Sequence, residues 1–322
     1  MVTQRTGLRF ATVLWNREAA LVGVLDDAVV HLGAAARALR RDRKAAQATG
    51  IPPSDMPELI RGGPSSLKVA QAILRHVERH LSQGSWEVRA HDPVVRPLAR
   101  VRFLSPVPRP AKNIFCVGRN YAEHAKERGA DIPTVPVFFT KPPTTVVGHE
   151  AGVIAWPVTQ NLDYEVELAV VMGRRGRDIP KAKAYDYIFG YTILNDITAR
   201  DLQKKHTQWF KGKSLDTFAP MGPWIVHKSV FPDPHGRRIA LRVNGETRQE
   251  ASTGDMIFRV EDLIETLSAA MTLEPGDIIA TGTPSGVAAG SEPPRWLKAG
   301  DVVEAEVEGI GVLRNRIVAP GR

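Results

Sequence analysis

The stretch LDYEVELAVVM, residues 162–172, decides the reading of this chain. Its first half alternates with the two-residue period of a β-strand. Leu162, Tyr164, Val166 and Leu168 face one way, and Asp163, Glu165 and Glu167 the other. The residues that follow, Ala169, Val170 and Val171, are apolar on both faces, as in a strand buried within a sheet. Three carboxylates in one row repel one another, so something must make them tolerable. Glu165 and Glu167 leave the same strand face about 7 Å apart at the backbone. Carboxylates converging from that spacing suit one hard divalent cation, since Mg2+ takes oxygen ligands and keeps several waters. An exposed, solvated strand face gives the same pattern, and the pair alone does not exclude it. A third acid follows, because YTILND (191–196) reads as a strand ending in Asp196, ahead of a helix. Asp201 lies three residues beyond Thr198 and reads as the capping box of that helix. Asp163, at the start of its strand, is expected to be solvated or bonded locally.

Around this stretch the composition is that of a globular protein. The chain has 322 residues, 43% hydrophobic and 24% charged, enough for one large or two modest domains. The first residues lack the apolar segment of a secretory signal, and no apolar run approaches the roughly 18 residues of a membrane span. Cys116 is the only cysteine, so no intrachain disulfide is possible, and the expectation is a cytoplasmic protein. The net charge of +8 is confined to the first third: residues 1–110 hold 17 Lys and Arg against 9 Asp and Glu, and 111–322 hold 26 against 26. Much of it lies in RALRRDRK (37–44), which reads as a solvated basic face, since no stacking motif or zinc pattern accompanies it. No nucleic-acid or membrane partner is expected.

Residues 7–32 read as short strands, and SSLKVAQAILRHVERHL (65–81) places Leu67, Ala70, Leu74, Val77 and Leu81 at helical spacing. These form a small α+β N-terminal domain, 1–104, joined by the proline-rich connector SPVPRP (105–110) to a second domain, 111–322. The second domain carries hairpin signals at Asn244-Gly245 and in VVEAEVEGIGVLRNRIV (302–318), with helices expected at 199–205 and 260–271. Many short strands and few helices predict a β-rich α+β fold, roll-like and not doubly wound.

Six segments carry a resemblance. They are FCVGRNYAEHAKERG (115–129), PVFFTKPPTTVVG (136–148), DYEVELAVVMGR (163–174), GYTILNDITARDLQ (190–203), QWFKGKSLDTFAPMGPWI (208–225) and GDIIATGTPSGV (276–287). In this order they resemble the fumarylacetoacetate hydrolase family. The resemblance covers roughly 111–318, and the N-terminal unit is similar to the small domain that often precedes it. It implies the family's mixed β-roll, a homodimer, and Glu165, Glu167 and Asp196 as ligands of Mg2+ or Mn2+. It also implies an enzyme that stabilises an enolate next to a carboxylate. The leading expectation is a hydrolase cleaving a C–C bond in an acylpyruvate-like 2,4-dioxo acid. Isomerisation of a 2-hydroxydienoate and decarboxylation of an oxaloacetate-like acid are alternatives on the same site, and a non-catalytic structural-metal protein is disfavoured.

His124 and Glu127, three apart, share one face of a helical turn. By resemblance they are a water-activating dyad in a lid over 119–131, hinged near Gly118 and Gly129. Lys213 is placed by resemblance to stabilise an oxyanion or position water, whereas Lys211 reads as a solvated loop lysine. Arg200 and Gln203 share a helix face and by resemblance reach the substrate's oxygens. TGTPSGV (281–287) offers amides and hydroxyls that suit a carboxylate, with Thr283 as the substrate contact. Tyr121 and Lys141 are weaker substrate-binding candidates. Cys116 ends an apolar run and reads as buried and inert, not as a nucleophile paired with His124. His149 is either a surface residue or part of the pocket rim.

Overall fold

The computed structural model describes residues 8–40, 50–89 and 91–321. Val166–Met172 is buried at every position and lies inside a 12-stranded sheet. It pairs antiparallel with Ile188–Asn195 on one side and with Ile278–Ala280 on the other, both fully buried strands. Its apolar run is explained by two cores. Val166, Leu168, Val170 and Met172 join one hydrophobic cluster, and Ala169 and Val171 join another on the opposite face. Each such buried Val or Leu contributes about 1.5–3 kcal/mol.

The sheet runs in the order Val95–Pro97, Ala28–His31, Glu18–Val24, Arg9–Trp15, Ala219–His227, Ile188–Asn195, Val166–Met172, Ile278–Ala280, Ile114–Gly118 and Val137–Lys141. The register Arg9↔Val226 and Phe10↔Ile225 carries the pairing across the 105–110 connector, so residues on both sides of it share one sheet. A second, five-stranded sheet holds Glu246–Ser252, Arg238–Val243, Val302–Val307, Gly311–Val318 and Gly152–Ile154. Its Leu241, Val303, Ala305 and Leu313 pack into the same cluster as Leu168 and Val170. This is the β-rich α+β roll expected from the sequence.

The helix expected at 65–81 spans Gly63–Ser82 and buries Ala70, Ile73, Leu74 and Val77. A side chain at Gly23 would meet Leu74 within 2.4 Å, so that glycine permits the helix to lie flat on the sheet. The helix expected at 260–271 ends at Ser268, where Ala270 turns to a positive φ of 57°. The turn at Asn244-Gly245 has positive φ at both residues, 52° and 82°, as a two-residue hairpin requires. Helices Leu32–Leu39 and Met56–Arg61 were not anticipated. Of the basic run 37–44, Arg37 and Arg40 are exposed at the end of Leu32–Leu39, and residues 41–44 lie outside the described residues. Among the described residues no helix is long and apolar enough to cross a membrane.

Candidate active site

The acids do not form one continuous strand face. Leu162–Asp163 pairs with Thr198–Ala199 in a separate two-stranded ladder, and the central strand begins only at Val166. Asp163 is therefore turned away from the others. It is fully buried, not solvated, and its carboxylate accepts hydrogen bonds from Arg200 Nε at 2.7 Å and from the amides of Tyr164, Ala288 and Ala289 at 2.8, 2.7 and 3.1 Å. Glu165, Glu167 and Asp196 converge instead. All three are buried, and each offers a carboxylate oxygen within 4.8 Å of the others. Register brings them together: Val166 pairs with Asn195, Asn195 Oδ1 accepts from the Glu165 amide at 3.0 Å, and the Asp196 amide donates to the Glu165 carbonyl at 2.8 Å.

Three cations enter the same space. Glu165 accepts from Arg200 Nη2 at 2.6 Å and Lys213 Nζ at 2.7 Å. Asp196 accepts from Lys213 at 2.7 Å and Lys141 at 2.5 Å. Glu167 accepts only from the Gly282 amide, at 2.8 Å, among the described residues. Burial alone would raise the Glu165 carboxyl, but Lys213 and Arg200 outweigh it and hold it well below the usual carboxylate range. Glu167 goes the opposite way: burial, then the charges of Asp196 and Glu165, push it well up. Asp163, Glu165, Glu167 and Asp196 against Lys141, Arg200 and Lys213 leave one negative charge uncompensated. An all-oxygen donor set with surplus negative charge fits Mg2+ or Mn2+.

A cleft of about 530 Å³ opens over these acids, and its walls include His124, Glu165, Glu167, Arg200, Gln203, Lys213 and Thr283. Arg200 Nη1 also donates to Gln203 Oε1 at 3.1 Å, which joins the two candidate substrate contacts. Lys213 ends the short helix Phe210–Lys213, and its ammonium lies 5.0 Å from the centre of the Phe139 ring. Tyr121 and Lys141 lie behind the wall, not on it. Lys141 is fully buried, donating to Asp196 and to the Ile197 carbonyl, and the buried Tyr121 hydroxyl has no hydrogen-bond partner among the described residues.

His124 sits on the helix Ala122–Glu127, with Nδ1 3.1 Å from Glu127 Oε2. Glu127 Oε1 in turn accepts from the Gly286 amide at 2.8 Å. A side chain at Gly290 would meet that oxygen at 2.1 Å, so Gly290 makes room for Glu127. Two amides of the turn 281–287 are taken by the protein's own carboxylates, Glu167 through Gly282 and Glu127 through Gly286. Thr283 still lines the cleft, its Oγ1 accepting from Gln249 Nε2 at 2.8 Å.

Two further readings change. Asp201 is not a helix cap: helix Arg200–Lys205 has no side-chain cap, and the Thr198 hydroxyl donates to the Asp196 carbonyl. Asp201 accepts instead from Thr159 Oγ1 at 2.6 Å and the Gln160 amide at 2.9 Å, tying that loop to the helix. His149 is no rim residue. Its Nδ1 accepts from the Arg314 amide at 3.1 Å and its ring stands edge-on to Phe103. Cys116 is fully buried and burial pushes its thiol well up, in keeping with an inert residue. The sequence reading missed the Asp163–Arg200 pair and the cleft residues Arg119, Arg128 and Trp209.

The fumarylacetoacetate hydrolase C-terminal family model matches residues 113–318. The chain belongs to the fumarylacetoacetate hydrolase family. Within that family it is 56% identical over 223 residues to the oxaloacetate tautomerase YisK of Bacillus subtilis, covering 68% of this chain and 74% of that one. It is 42% identical over 257 residues to the human mitochondrial oxaloacetate tautomerase FAHD2A, covering 79% and 81%. Among solved structures, the fumarylacetoacetate hydrolase of Exiguobacterium antarcticum superposes with a TM-score of 0.77 at 36% identity, covering 97% and 99%. The 2-hydroxyhepta-2,4-diene-1,7-dioate isomerase of Mycobacterium marinum gives 0.69 at 30% identity, covering 98% and 100%.

Proposed function

We propose that this family member is a divalent-metal-dependent enzyme that interconverts the keto and enol forms of an oxaloacetate-like 2-oxo acid. The observation that carries this reading is the 56% identity to a relative named as an oxaloacetate tautomerase. The site supports it, because keto–enol exchange needs one proton carrier beside a floor that can hold a divalent cation against the substrate's oxygen. Glu165, Glu167 and Asp196 would hold Mg2+ or Mn2+, which when bound would supply Lewis-acid charge for the substrate's oxygen. His124 carries the proton. With Nδ1 donating to Glu127, Nε2 is left with its lone pair to take a proton from the carbon beside the carbonyl and to deliver it to the enolate oxygen, or to carry it the opposite way. Glu127, fixed by the Gly286 amide, holds the ring and stabilises its cation. Arg200 and Gln203 orient the substrate's oxygens from one helix face.

The second reading is hydrolysis of an acylpyruvate-like 2,4-dioxo acid, with the same dyad acting on water. It is supported by the 36% identical structure described as a fumarylacetoacetate hydrolase. One experiment separates the two. The ultraviolet decay of enol-oxaloacetate and the cleavage of acetylpyruvate are followed side by side with Mg2+, with Mn2+ and with chelator. We expect metal-dependent acceleration of the enol decay. Acetylpyruvate cleavage without any such acceleration would sink the tautomerase reading. In the same assay His124→Asn should slow turnover about 10²–10⁴-fold.

A further inference from the structure

The cations on and behind the cleft wall fall into two sets. The inner set, Lys141, Arg200 and Lys213, is taken up by Asp163, Glu165 and Asp196. The outer set, Arg119, Arg128 and Lys204, also lines the cleft but makes no salt bridge among the described residues. Asp163, Glu165 and Glu127 act on Arg128 from nearby without a salt bridge among the described residues, and each is already bonded elsewhere, as is Asp201, to Thr159 and the Gln160 and Leu202 amides. Arg119 and Arg128 bracket the helix that carries His124 and Glu127. Arg119 precedes it at a positive φ of 57°, a backbone state that non-glycine residues rarely hold, and Arg128 is its C-cap residue. The Arg119 guanidinium lies 5.4 Å from the centre of the Trp209 ring, which holds its face and leaves its N–H edges free. Arg128, which lines the cleft, spends Nη1 on the neutral Ala289 carbonyl at 3.2 Å and makes no other hydrogen bond among the described residues.

We propose that Arg128, supported by Arg119, binds a second carboxylate at the far end of the substrate and thereby selects dicarboxylic over monocarboxylic 2-oxo acids. An acylpyruvate ending in an alkyl group would leave these guanidiniums unused, whereas a four-carbon diacid pairs with them in the bidentate geometry that arginine favours. Such a contact also ties both ends of the dyad helix to the bound substrate. The inference rests on the oxo-acid reading above only for what sits at the metal end.

The test uses the full-length, Mg2+-loaded protein and two non-reacting probes, malate and 2-hydroxybutanoate, in which a carboxylate is replaced by a methyl group. Calorimetry should show malate binding about tenfold or more tighter than 2-hydroxybutanoate. Arg128→Gln should erase that preference while leaving 2-hydroxybutanoate affinity within about twofold, and Arg128→Lys should restore part of it. A wild-type protein without the preference overturns the proposal. So does retention of the preference in a folded Arg119→Gln, Arg128→Gln double variant. If the preference behaves as expected but oxaloacetate enolisation is not accelerated, the second-carboxylate site stands and the tautomerase reading falls.

Discussion

Glu167 is the residue on which the acid cluster turns. It is the one carboxylate of the four without a cationic partner, and burial makes its charge costly. Glu167→Gln keeps the shape and removes that charge. We expect the variant to melt higher than wild type in chelator, and to lose both the Mg2+-dependent rise in melting temperature and the catalytic activity. A preserved Mg2+ shift in calorimetry would remove Glu167 from the metal set. Asp163 behaves differently, because it already has its partner. Asp163→Ala leaves Arg200 Nε and the amides of Tyr164, Ala288 and Ala289 without their acceptor, and should cost about 3–5 kcal/mol in urea unfolding. At this scale the sequence made Glu165, Glu167 and Asp196 legible, because spacing and strand ends are local facts. It could not reveal why Asp163 differs, since the answer is a guanidinium 37 residues away. Asp201 misled for the same reason: a cap is a local pattern, and a loop on another segment outbid it.

Elements set how those side chains are held. The helix Ala122–Glu127 is only six residues long, too short to be stable alone, and is fixed by Glu127 on Gly286 and Arg128 on Ala289. Gly290→Ala would press on Glu127 Oε1 and should lower kcat about 10–100-fold with little change in substrate binding, since His124 loses its orienting partner. Unchanged kcat would mean the helix tolerates the displacement. The strand Ala219–His227 ends in a histidine with a pH consequence. Burial, reinforced by Lys228, pushes His227 down to about 4 from 6.5. The folded form therefore holds fewer protons, so this contribution to stability is intact above pH 6.5 and is lost as pH falls toward 4. Its full size is about 3 kcal/mol. His227→Gln should flatten that part of the stability profile in urea titrations between pH 4 and 7. The helices Gly63–Ser82 and Val260–Ser268 and the hairpin at Asn244-Gly245 were readable from local pattern, whereas the break between Asp163 and Val166 was not, because alternation continues across it.

For the whole molecule, the pairing of Arg9–Trp15 with Ala219–His227 means that residues before the connector cover an interior strand. They also bring Phe10, Leu21 and Leu74 into the cluster that holds Met221 and Ile225. A chain of residues 105–322 alone should expose that strand edge and its apolar face, and aggregate or pair through it. A soluble, cooperatively melting fragment would contradict this. The sequence foretold the class of fold. It was silent on the shared sheet, because the paired strands stand far apart in the chain and nothing local marks them as neighbours.

The turn 281–287 has a mechanical meaning. One short piece of backbone grips Glu167 at Gly282 and Glu127 at Gly286, so it works as a common anchor post for the floor of the cleft and for the helix Ala122–Glu127. An outward swing of that helix would pull on the same post that aims Glu167. With a cation bound between the acids, opening the cleft and holding the cation would then be competing demands on a few peptide groups. Amide exchange at Gly286 should accordingly slow when Mg2+ is added, even though its own partner is on that helix. Exchange there that ignores Mg2+ would mean that the two grips move independently.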